Sequence, residues 1–358
     1  MGCPFRGGKL RTFGPQRSAR HEVQAALLAE PSWVESSHLD VPHRGIECVS
    51  KRNTLPGVLD DALLADWCLR YLGAPVERVL FRSGFLSDVV GVELSSGLRA
   101  VVKARPFQPR IAGCLQVQAA LARVGFPCPE PLTVATRVHG MTVTAETEVP
   151  GGSPLPTEAG AAPFAALLAR LIASAPAPAA VPDLAPSPPW TGWDHPGRGL
   201  WPDLNEHGQD LNLVGGPEWV DDAARRVRER LTSTPGRLCI GHGDWETQNI
   251  RWTGRDPLVL HDWDSVIAQP EPAIVGLAAA MWPRADETAS VAQTADFITS
   301  YQLQAGREWD RWEIRDAWAA GLWVRLIYAK QEAAEGGSQQ LDRLATEIGE
   351  RLDHAALR

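Results

Sequence analysis

Residues 241–249, Gly-His-Gly-Asp-Trp-Glu-Thr-Gln-Asn (GHGDWETQN), decide the fold together with His-Asp-Trp-Asp (HDWD) at 261–264. Both polar stretches interrupt apolar sequence: RLCI (237–240) precedes the first, IRW (250–252) follows it, and PLVL (257–260) precedes the second. Short apolar runs bounded by polar residues are typical of buried strands. We therefore expect the polar residues to lie in loops at the strand ends, facing one cleft.

The order of the polar side chains is typical of phosphoryl transfer from a nucleotide. This reaction needs a carboxylate that orients the attacking hydroxyl and accepts its proton, and oxygen ligands for Mg²⁺. Asp244 can serve as the carboxylate, and Asn249 and Asp262 as metal ligands; Asp264, two residues later, either binds a second ion or supports the first. Kinase catalytic loops show the same order: a base, an amide five residues later, and a metal-binding carboxylate after the next hairpin.

HGDWETQN followed by HDWD resembles the aminoglycoside phosphotransferase and choline kinase-like family, whose pattern is H-G-D-x-x-x-x-N and then an apolar run ending in D-x-D/E. The resemblance covers about residues 75–285. It implies an α+β, two-lobed protein kinase-like fold with a small β-rich N-terminal lobe and a larger, mainly helical C-terminal lobe. It also implies ATP and Mg²⁺ as cofactors.

The resemblance further implies nucleotide-binding residues in the first lobe. Lys103, in RAVVKAR, is expected to hold the α- and β-phosphates, and Ser83 and Gly84 are expected in the turn over the nucleotide. AETEVPGG (145–152), which contains Glu148, is expected to be the hinge that meets the adenine.

Two family features are missing. The helix after Lys103 should supply a glutamate to pair with this lysine, but no glutamate occurs between Lys103 and Glu130, and Gln116 or Gln118 stands in the expected place. The acidic residue that follows the D-x-D loop in the family is also absent from its place in EPAIVGLAAA (271–280).

Periodicity predicts the elements around these motifs. Apolar residues at helical or alternating spacing predict an N-terminal helix, then five strands and one helix. Beyond the Pro- and Gly-rich tract at 150–156, six further helices are predicted. We therefore expect three parts: an irregular N-terminal extension (1–55), with a short helix at RHEVQAALLAE (20–30), a nucleotide-binding lobe (56–149) and a helical catalytic and substrate lobe (150–358). The predicted helices are 58–73, 109–125, 161–174, 217–231, 271–282, 288–306, 310–335 and 338–357, and the strands of the first lobe are 75–81, 88–94, 98–104, 133–139 and 141–149.

The composition limits which binding partners and which cellular location we expect for the protein. The net charge of −8 argues against nonspecific binding to nucleic acid and suits a cationic small-molecule substrate. No apolar run is long enough to span a membrane, and the six cysteines form no CxxC pair, so we interpret the protein as cytoplasmic with reduced thiols. The irregular segment 175–208 contains Trp190, Trp193 and Trp201, which either hold an amine by cation–π attraction or pack in the core.

The sequence therefore predicts an ATP- and Mg²⁺-dependent kinase of a hydroxyl on a small molecule, of aminoglycoside type or another amine-bearing alcohol. Two alternatives stay open. A metal-dependent phosphohydrolase would use His242, Asp244, His261, Asp262 and Asp264 as a two-metal cluster. A catalytically inactive nucleotide-binding protein would explain the missing glutamate. The oligomeric state is open.

Overall fold

The Val-rich segments after residue 75 form one antiparallel sheet of five strands in the order β1-β2-β3-β5-β4. A computed structural model of the chain describes residues 59–84, 87–181, 184–203, 210–233, 236–283 and 288–358. The whole of the predicted extension (1–55), with its helix at 20–30, lies outside these ranges. The sheet strands are β1 (Val76–Ser83), β2 (Asp88–Leu94), β3 (Arg99–Pro106), β4 (Thr136–Val138) and β5 (Met141–Thr147).

All five sheet strands coincide with predicted ones, because each carries strong local signals. The tight β2–β3 turn is an example: Gly97 adopts φ 82°, a left-handed conformation that glycine takes without strain. In β2 and β3, buried residues alternate with less buried ones over much of the strands, as expected for a sheet with one face on the core.

Two helices flank the sheet, α1 (Asp61–Leu72) and α2 (Ile111–Arg123). The Asp60 side chain caps α1 by accepting a hydrogen bond from the Leu63 N–H at 2.8 Å, and Gly73 ends the helix at φ 76°. Trp67 and Cys68 of α1 pack into the core of the sheet, whereas Val117 and Leu121 of α2 join the core of the helical part. The described residues thus form two hydrophobic clusters, one of the sheet with α1 and one that joins α2 to the helical part, and the division into lobes at 150–156 stays a prediction.

The helical part follows the sequence prediction closely. Its helices are α3 (Ala162–Ser174), α4 (Glu218–Ser233), α5 (Glu271–Met281), α6 (Val291–Ala305), α7 (Arg311–Ala334) and α8 (Gln339–His354). In α5, every residue from Pro272 to Met281 is buried. A Cβ on Gly276 would lie 1.9 Å from the Ala317 carbonyl oxygen, so glycine is what allows α5 and α7 to pack backbone to backbone. Among the helices of the described residues, none has the length and apolar character needed to cross a membrane.

Two small antiparallel sheets carry the polar loops. β6 (Leu238–His242) pairs with β9 (Val266–Pro270), and β7 (Ile250–Thr253) pairs with β8 (Asp256–Leu260). The strands β6, β7 and β8 coincide with RLCI, IRW and PLVL, whereas β9 was not predicted. β6 and β7 belong to different sheets, and each is hydrogen-bonded to its own partner strand. Both ends of the loop between them are therefore fixed.

Candidate active site

The loop between β6 and β7 holds Asp244 and Asn249 against each other. Asn249 Nδ2 donates to Oδ2 of Asp244 at 2.9 Å and to its carbonyl oxygen at 3.1 Å. Trp245, fully buried beside Asp244, anchors the loop in the core. The loop therefore presents a carboxylate with one oriented oxygen, next to an amide.

His242 ties the two polar stretches together. Its buried ring places Nε2 3.1 Å from the carbonyl oxygen of His261 and 3.0 Å from that of Asp262, while Nδ1 accepts a hydrogen bond from the Asp244 N–H at 3.2 Å. Carbonyl oxygens only accept, so Nε2 carries the proton and the ring is neutral. Burial lowers the pKa of His242 to about 4, which agrees with a neutral ring. Both ring nitrogens are used, and neither is available as a base or a metal ligand.

Asp262 follows β8 with φ 65° and ψ 48°, a left-handed conformation that is uncommon outside glycine and concentrates at functional sites. Its carboxyl lies close to those of Asp244 and Asp264. Burial first, and then Asp264 and Asp244, raise the pKa of Asp262 well above its ordinary value. Burial and Glu246 likewise raise the pKa of Asp244 to about 8. The carboxyl groups are therefore crowded, and Lys103 offsets only part of the effect on Asp262.

Arg105 of β3 and Arg110, which directly precedes α2, bind the loop that contains Asp264. Arg105 forms an ion pair with Oδ2 of Asp264, and Arg110 donates to the carbonyl oxygens of Asp264 and Val266. Burial would raise the pKa of Asp264, but Arg105, Asp262, Lys103 and Arg110 together hold this pKa below its ordinary value. Within the described residues, Oδ1 of Asp264 is buried and has no hydrogen-bond partner.

The oxygen donors fit Mg²⁺. In the described part of the chain, no three His, Cys, Asp or Glu side chains converge as a ready-made metal cage. Mg²⁺ does not need such a cage, since proteins commonly bind it with one or two carboxylates together with water and substrate phosphates. Among the described residues, Oδ1 of Asp264 has no hydrogen-bond partner and the pKa of Asp262 is raised, and both observations fit oxygen ligands for a divalent cation. We expect Asp262, Asn249 and Asp264 to hold the ion.

Lys103 has a glutamate partner, but not on the helix. Its Nζ lies 2.8 Å from Oε1 of Glu146 in β5, and both side chains are largely buried. Burial would lower the pKa of Lys103, but Glu146 and then Asp262 raise it above its ordinary value. Whether Gln116 or Gln118 takes the place of the helix glutamate was left open by the sequence, and the carboxylate beside Lys103 is that of Glu146. Gln116 is exposed on α2, and Gln118 donates through Nε2 to Oε2 of Glu146 at 3.0 Å.

The sequence contained a signal for Glu146 that helix-based reasoning missed. β3 and β5 pair with Lys103 opposite Thr144, so Glu146, two residues further, projects from the same face of the sheet. Alternation along β5 and its pairing with β3 would have been enough to nominate it.

The other predicted nucleotide residues are apart from this ion pair. Ser83 ends β1, and Gly84 has φ 151°, where a Cβ would lie 1.9 Å from the Ser87 carbonyl oxygen. Only glycine fits this turn. Glu148 pairs with Arg99, with Oε2 2.6 Å from Nε, and its backbone N–H donates to the Arg99 carbonyl oxygen at 3.2 Å. Its place in a nucleotide hinge stays a prediction.

Two further residues join the site unpredicted. Burial, followed by Asp262, raises the pKa of Glu246 to about 7. Tyr328 of α7 also lies within electrostatic reach, since burial and then Glu246 and Asp244 raise the pKa of its phenol. Glu246 was visible within the motif, whereas nothing in the sequence near Tyr328 indicates that α7 reaches the loop.

The three tryptophans of segment 175–208 differ. Trp190 is half-buried and donates through Nε1 to the Gly243 carbonyl oxygen at 2.8 Å, directly beside Asp244. Trp193 and Trp201 are buried in the core of the helical part. For these two, the packing alternative holds.

An antiparallel sheet with a buried lysine–glutamate pair, followed by a helical part carrying the Asp-Asn-Asp loops, defines a kinase-like phosphotransferase. Residues 77–320, more than half of the chain, match the model of the phosphotransferase enzyme family (APH). The chain belongs to this family and is a small-molecule kinase.

Solved structures share the fold. The amicoumacin kinase hAmiN, in complex with AMP-PNP, Ca²⁺ and Ami, matches with a TM-score of 0.56 and 10% identity over 83% of this chain and 94% of that chain. The aminoglycoside phosphotransferase APH(4)-Ia matches with a TM-score of 0.52 and 14% identity over 82% and 98%. Spectinomycin phosphotransferase APH(9)-Ia, in complex with ADP and spectinomycin, matches with a TM-score of 0.50 and 10% identity over 84% of this chain and 94% of that chain. No curated protein sequence matches the chain.

Family and geometry together decide against the two alternatives. The phosphohydrolase hypothesis needs His242 as a metal ligand, but both of its ring nitrogens are hydrogen-bonded. The hypothesis of an inactive nucleotide-binding protein rested on a lysine without a glutamate, and Lys103 does have a glutamate beside it.

Proposed function

We propose that this kinase transfers the γ-phosphoryl group of ATP, with Mg²⁺, to a hydroxyl of a small amine-bearing molecule, of aminoglycoside type or a related amino alcohol. The observation that carries the proposal is the hydrogen-bonded pair Asp244–Asn249, in one charged cluster with Asp262 and Lys103. This cluster contains the base, the metal ligands and the phosphate-binding cation that the reaction requires.

In this mechanism Asp244 orients the acceptor hydroxyl and takes its proton. The hydroxyl oxygen forms a bond to the γ-phosphorus as the bond from that phosphorus to the bridging oxygen breaks, and ADP leaves. Lys103 holds the nucleotide phosphates, and Glu146 neutralises its charge on the other side. The reaction needs little covalent chemistry from the protein, so positioning and charge neutralisation provide most of the catalysis.

Asn249, Asp262 and Asp264 would hold Mg²⁺. When bound, Mg²⁺ neutralises negative charge on the phosphate oxygens. Arg105, with Lys103 and Arg110, favours the ionised form of Asp264, so that Asp264 needs no proton loss before it acts as a ligand. Asn249 contributes an uncharged oxygen and donates its amide protons to Asp244.

The acceptor class rests on charge. Asp244 is half-buried and Glu246, two residues further, is buried, and the whole chain carries −8. A protonated amine on the acceptor would be attracted to such a site and would favour the ionised form of Glu246. A thermostable mutant of APH(4)-Ia, which shares the fold, has been solved as a ternary complex with ADP and hygromycin B, and this supports an antibiotic-sized acceptor.

The test is ADP release from ATP and Mg²⁺ across a panel of aminoglycosides, choline-like amino alcohols and uncharged polyols. We expect acceptor-dependent ADP release with amine-bearing compounds, lost in Asp244→Ala and retained in Asp256→Ala, a matched control on the exposed β7–β8 turn. Turnover with the uncharged polyols alone would contradict the acceptor class. Turnover that survives Asp244→Ala would contradict the mechanism.

A further inference from the structure

The carboxylate that holds Lys103 comes from the sheet and not from helix α2. Lys103 in β3 and Glu146 in β5 are adjacent-strand residues, with Nζ and Oε1 2.8 Å apart. Their side chains are only 13% and 8% exposed, so the ion pair is shielded from solvent and from salt. Its geometry is set by hydrogen-bonded strand pairing.

Both oxygens of Glu146 are used. Oε1 faces Lys103, and Oε2 accepts from Nε2 of Gln118 at 3.0 Å. Gln118 is 1% exposed, and its Nε2 also donates to the Pro129 carbonyl oxygen at 3.0 Å. The Glu146 carboxylate is thus held in one orientation by a neutral side chain that is itself anchored.

This arrangement differs from the pairing in protein kinases. There the lysine of the third strand pairs with a glutamate of the helix, and the position of that helix decides whether the lysine is held. Here α2 contributes only the amide of Gln118, and Lys103 and Glu146 stay on one sheet.

Electrostatics explains why a carboxylate is needed at Glu146. Lys103 lies in the field of Asp262 and Asp264 as well as Glu146. Lys103, Gln118, Glu146 and Asp264 also line one small cavity. Without Glu146, the ammonium group would be drawn toward Asp262 and Asp264, where it would compete with a metal ion and leave the phosphates.

We propose that Glu146 is the positioning residue for Lys103, that Gln118 orients Glu146, and that this pair replaces the helix glutamate in nucleotide binding. The inference rests on the proposed use of ATP. It concerns how the phosphate-binding lysine is held and is independent of the acceptor.

The experiment compares Glu146→Gln, Gln118→Leu and the exchange variant Glu146→Gln/Gln118→Glu with the wild type. Glu93→Gln is the matched control, because Glu93 lies in the same sheet but pairs with Arg78 and not with Lys103. The distance between Oε2 of Glu93 and the Arg78 guanidinium is 2.6 Å. The readouts are ADP affinity by calorimetry without acceptor, KM for ATP, kcat and Tm.

For Glu146→Gln we expect about tenfold weaker ADP binding and a KM for ATP raised by a similar factor, as for loss of one charged hydrogen bond. Gln118→Leu should raise KM by about threefold, since the carboxylate remains but is less oriented. The exchange variant, which restores a carboxylate to the cluster, should regain most of the affinity. Glu93→Gln should behave as the wild type.

The outcomes separate the two proposals. If the wild type neither binds ADP nor consumes ATP, the proposed function fails. If the wild type binds ADP and Glu146→Gln binds it equally well, the positioning role fails while the proposed function stands. A Tm loss in Glu146→Gln without a change in KM or affinity also overturns the positioning role. If Glu146→Gln does not fold, Gln118→Leu decides, and an unchanged KM in that variant refutes the inference.

Discussion

Asn249 donates through Nδ2 to Oδ2 of Asp244 at 2.9 Å, so the expected metal-binding amide and the expected catalytic base are hydrogen-bonded to each other. The bond fixes which oxygen of Asp244 remains for a substrate. Because Nδ2 makes this bond, Oδ1 is the atom of the Asn249 amide that we expect to bind the metal. Under the proposed function, one side chain would therefore couple the orientation of the base to the binding of the metal.

The first prediction concerns the base. Asp244→Asn keeps the size of the side chain but cannot accept the hydroxyl proton, so kcat should fall by about 10²- to 10⁴-fold. KM for ATP should change little, because Asp244 is expected to contact the acceptor. Steady-state kinetics with Asp256→Asn as control would show this; a kcat within a few-fold of the wild type would exclude Asp244 as the base.

The second prediction concerns pH and stability without metal. Burial raises the pKa of Asp244 to about 8 and of Glu246 to about 7, and lowers the pKa of His242 and His261 from 6.5 to about 4. Below about pH 6.5, the two carboxyl groups and the two histidines have opposite effects on how stability depends on pH. The folded chain binds more protons at the carboxyl groups, and the unfolded chain binds more at the histidines. Above about pH 6.5 only the carboxyl groups differ, the folded chain holds more protons, and stability falls as pH rises toward about 8.

Thermal denaturation in the presence of a chelator measures this dependence. Tm of the wild type should fall between about pH 6.5 and 8, and it should fall less in Asp244→Asn, which has no such carboxyl to ionise. Mg²⁺ with ADP should reduce the slope in the wild type, because a bound cation stabilises the ionised carboxylates. An equal slope in Asp244→Asn and wild type would contradict the assignment.

The third prediction concerns the ion pair between Arg105 and Asp264. Arg105→Met removes the arginine that pairs with Asp264. Because the Asp264 side chain is 27% exposed, we expect the free energy of unfolding to fall by about 2–3 kcal/mol, less than for a fully buried pair. The double variant Arg105→Met/Asp264→Asn should be more stable than the sum of the two single changes predicts. Urea denaturation of the four proteins measures the coupling, and additive losses would show that the two side chains do not interact.

The fourth prediction compares two glycines with positive φ. Gly84→Ala would place a Cβ 1.9 Å from the Ser87 carbonyl oxygen, whereas a Cβ on Gly97 meets nothing within 4 Å. Both variants should lose about 1–2 kcal/mol from backbone strain, with a larger loss for Gly84→Ala because of the clash. Only Gly84→Ala should raise KM for ATP, because only that turn is expected over the nucleotide. Equal KM values would remove Gly84 from the nucleotide site.

The helices and the sheet strands were predictable because their signals are local. The alternation of β2 and β3, the cap at Asp60 and the glycines at 73 and 97 act on neighbouring residues. β9 was missed, since Val266–Pro270 is recognisable only as the partner of β6.

The sequence by itself determined the order of the elements and the residue types of the polar loops, Asp244, Asn249, Asp262 and Asp264, because strand and helix periodicity and motif spacing are properties of short segments. Only the tertiary structure decided which side chains complete the site. Strand register brought Glu146 to Lys103, an arginine from β3 reached Asp264, and the packing of α7 brought Tyr328 near Asp244. These long-range contacts depend on how distant segments pair and pack, and local sequence patterns do not encode them.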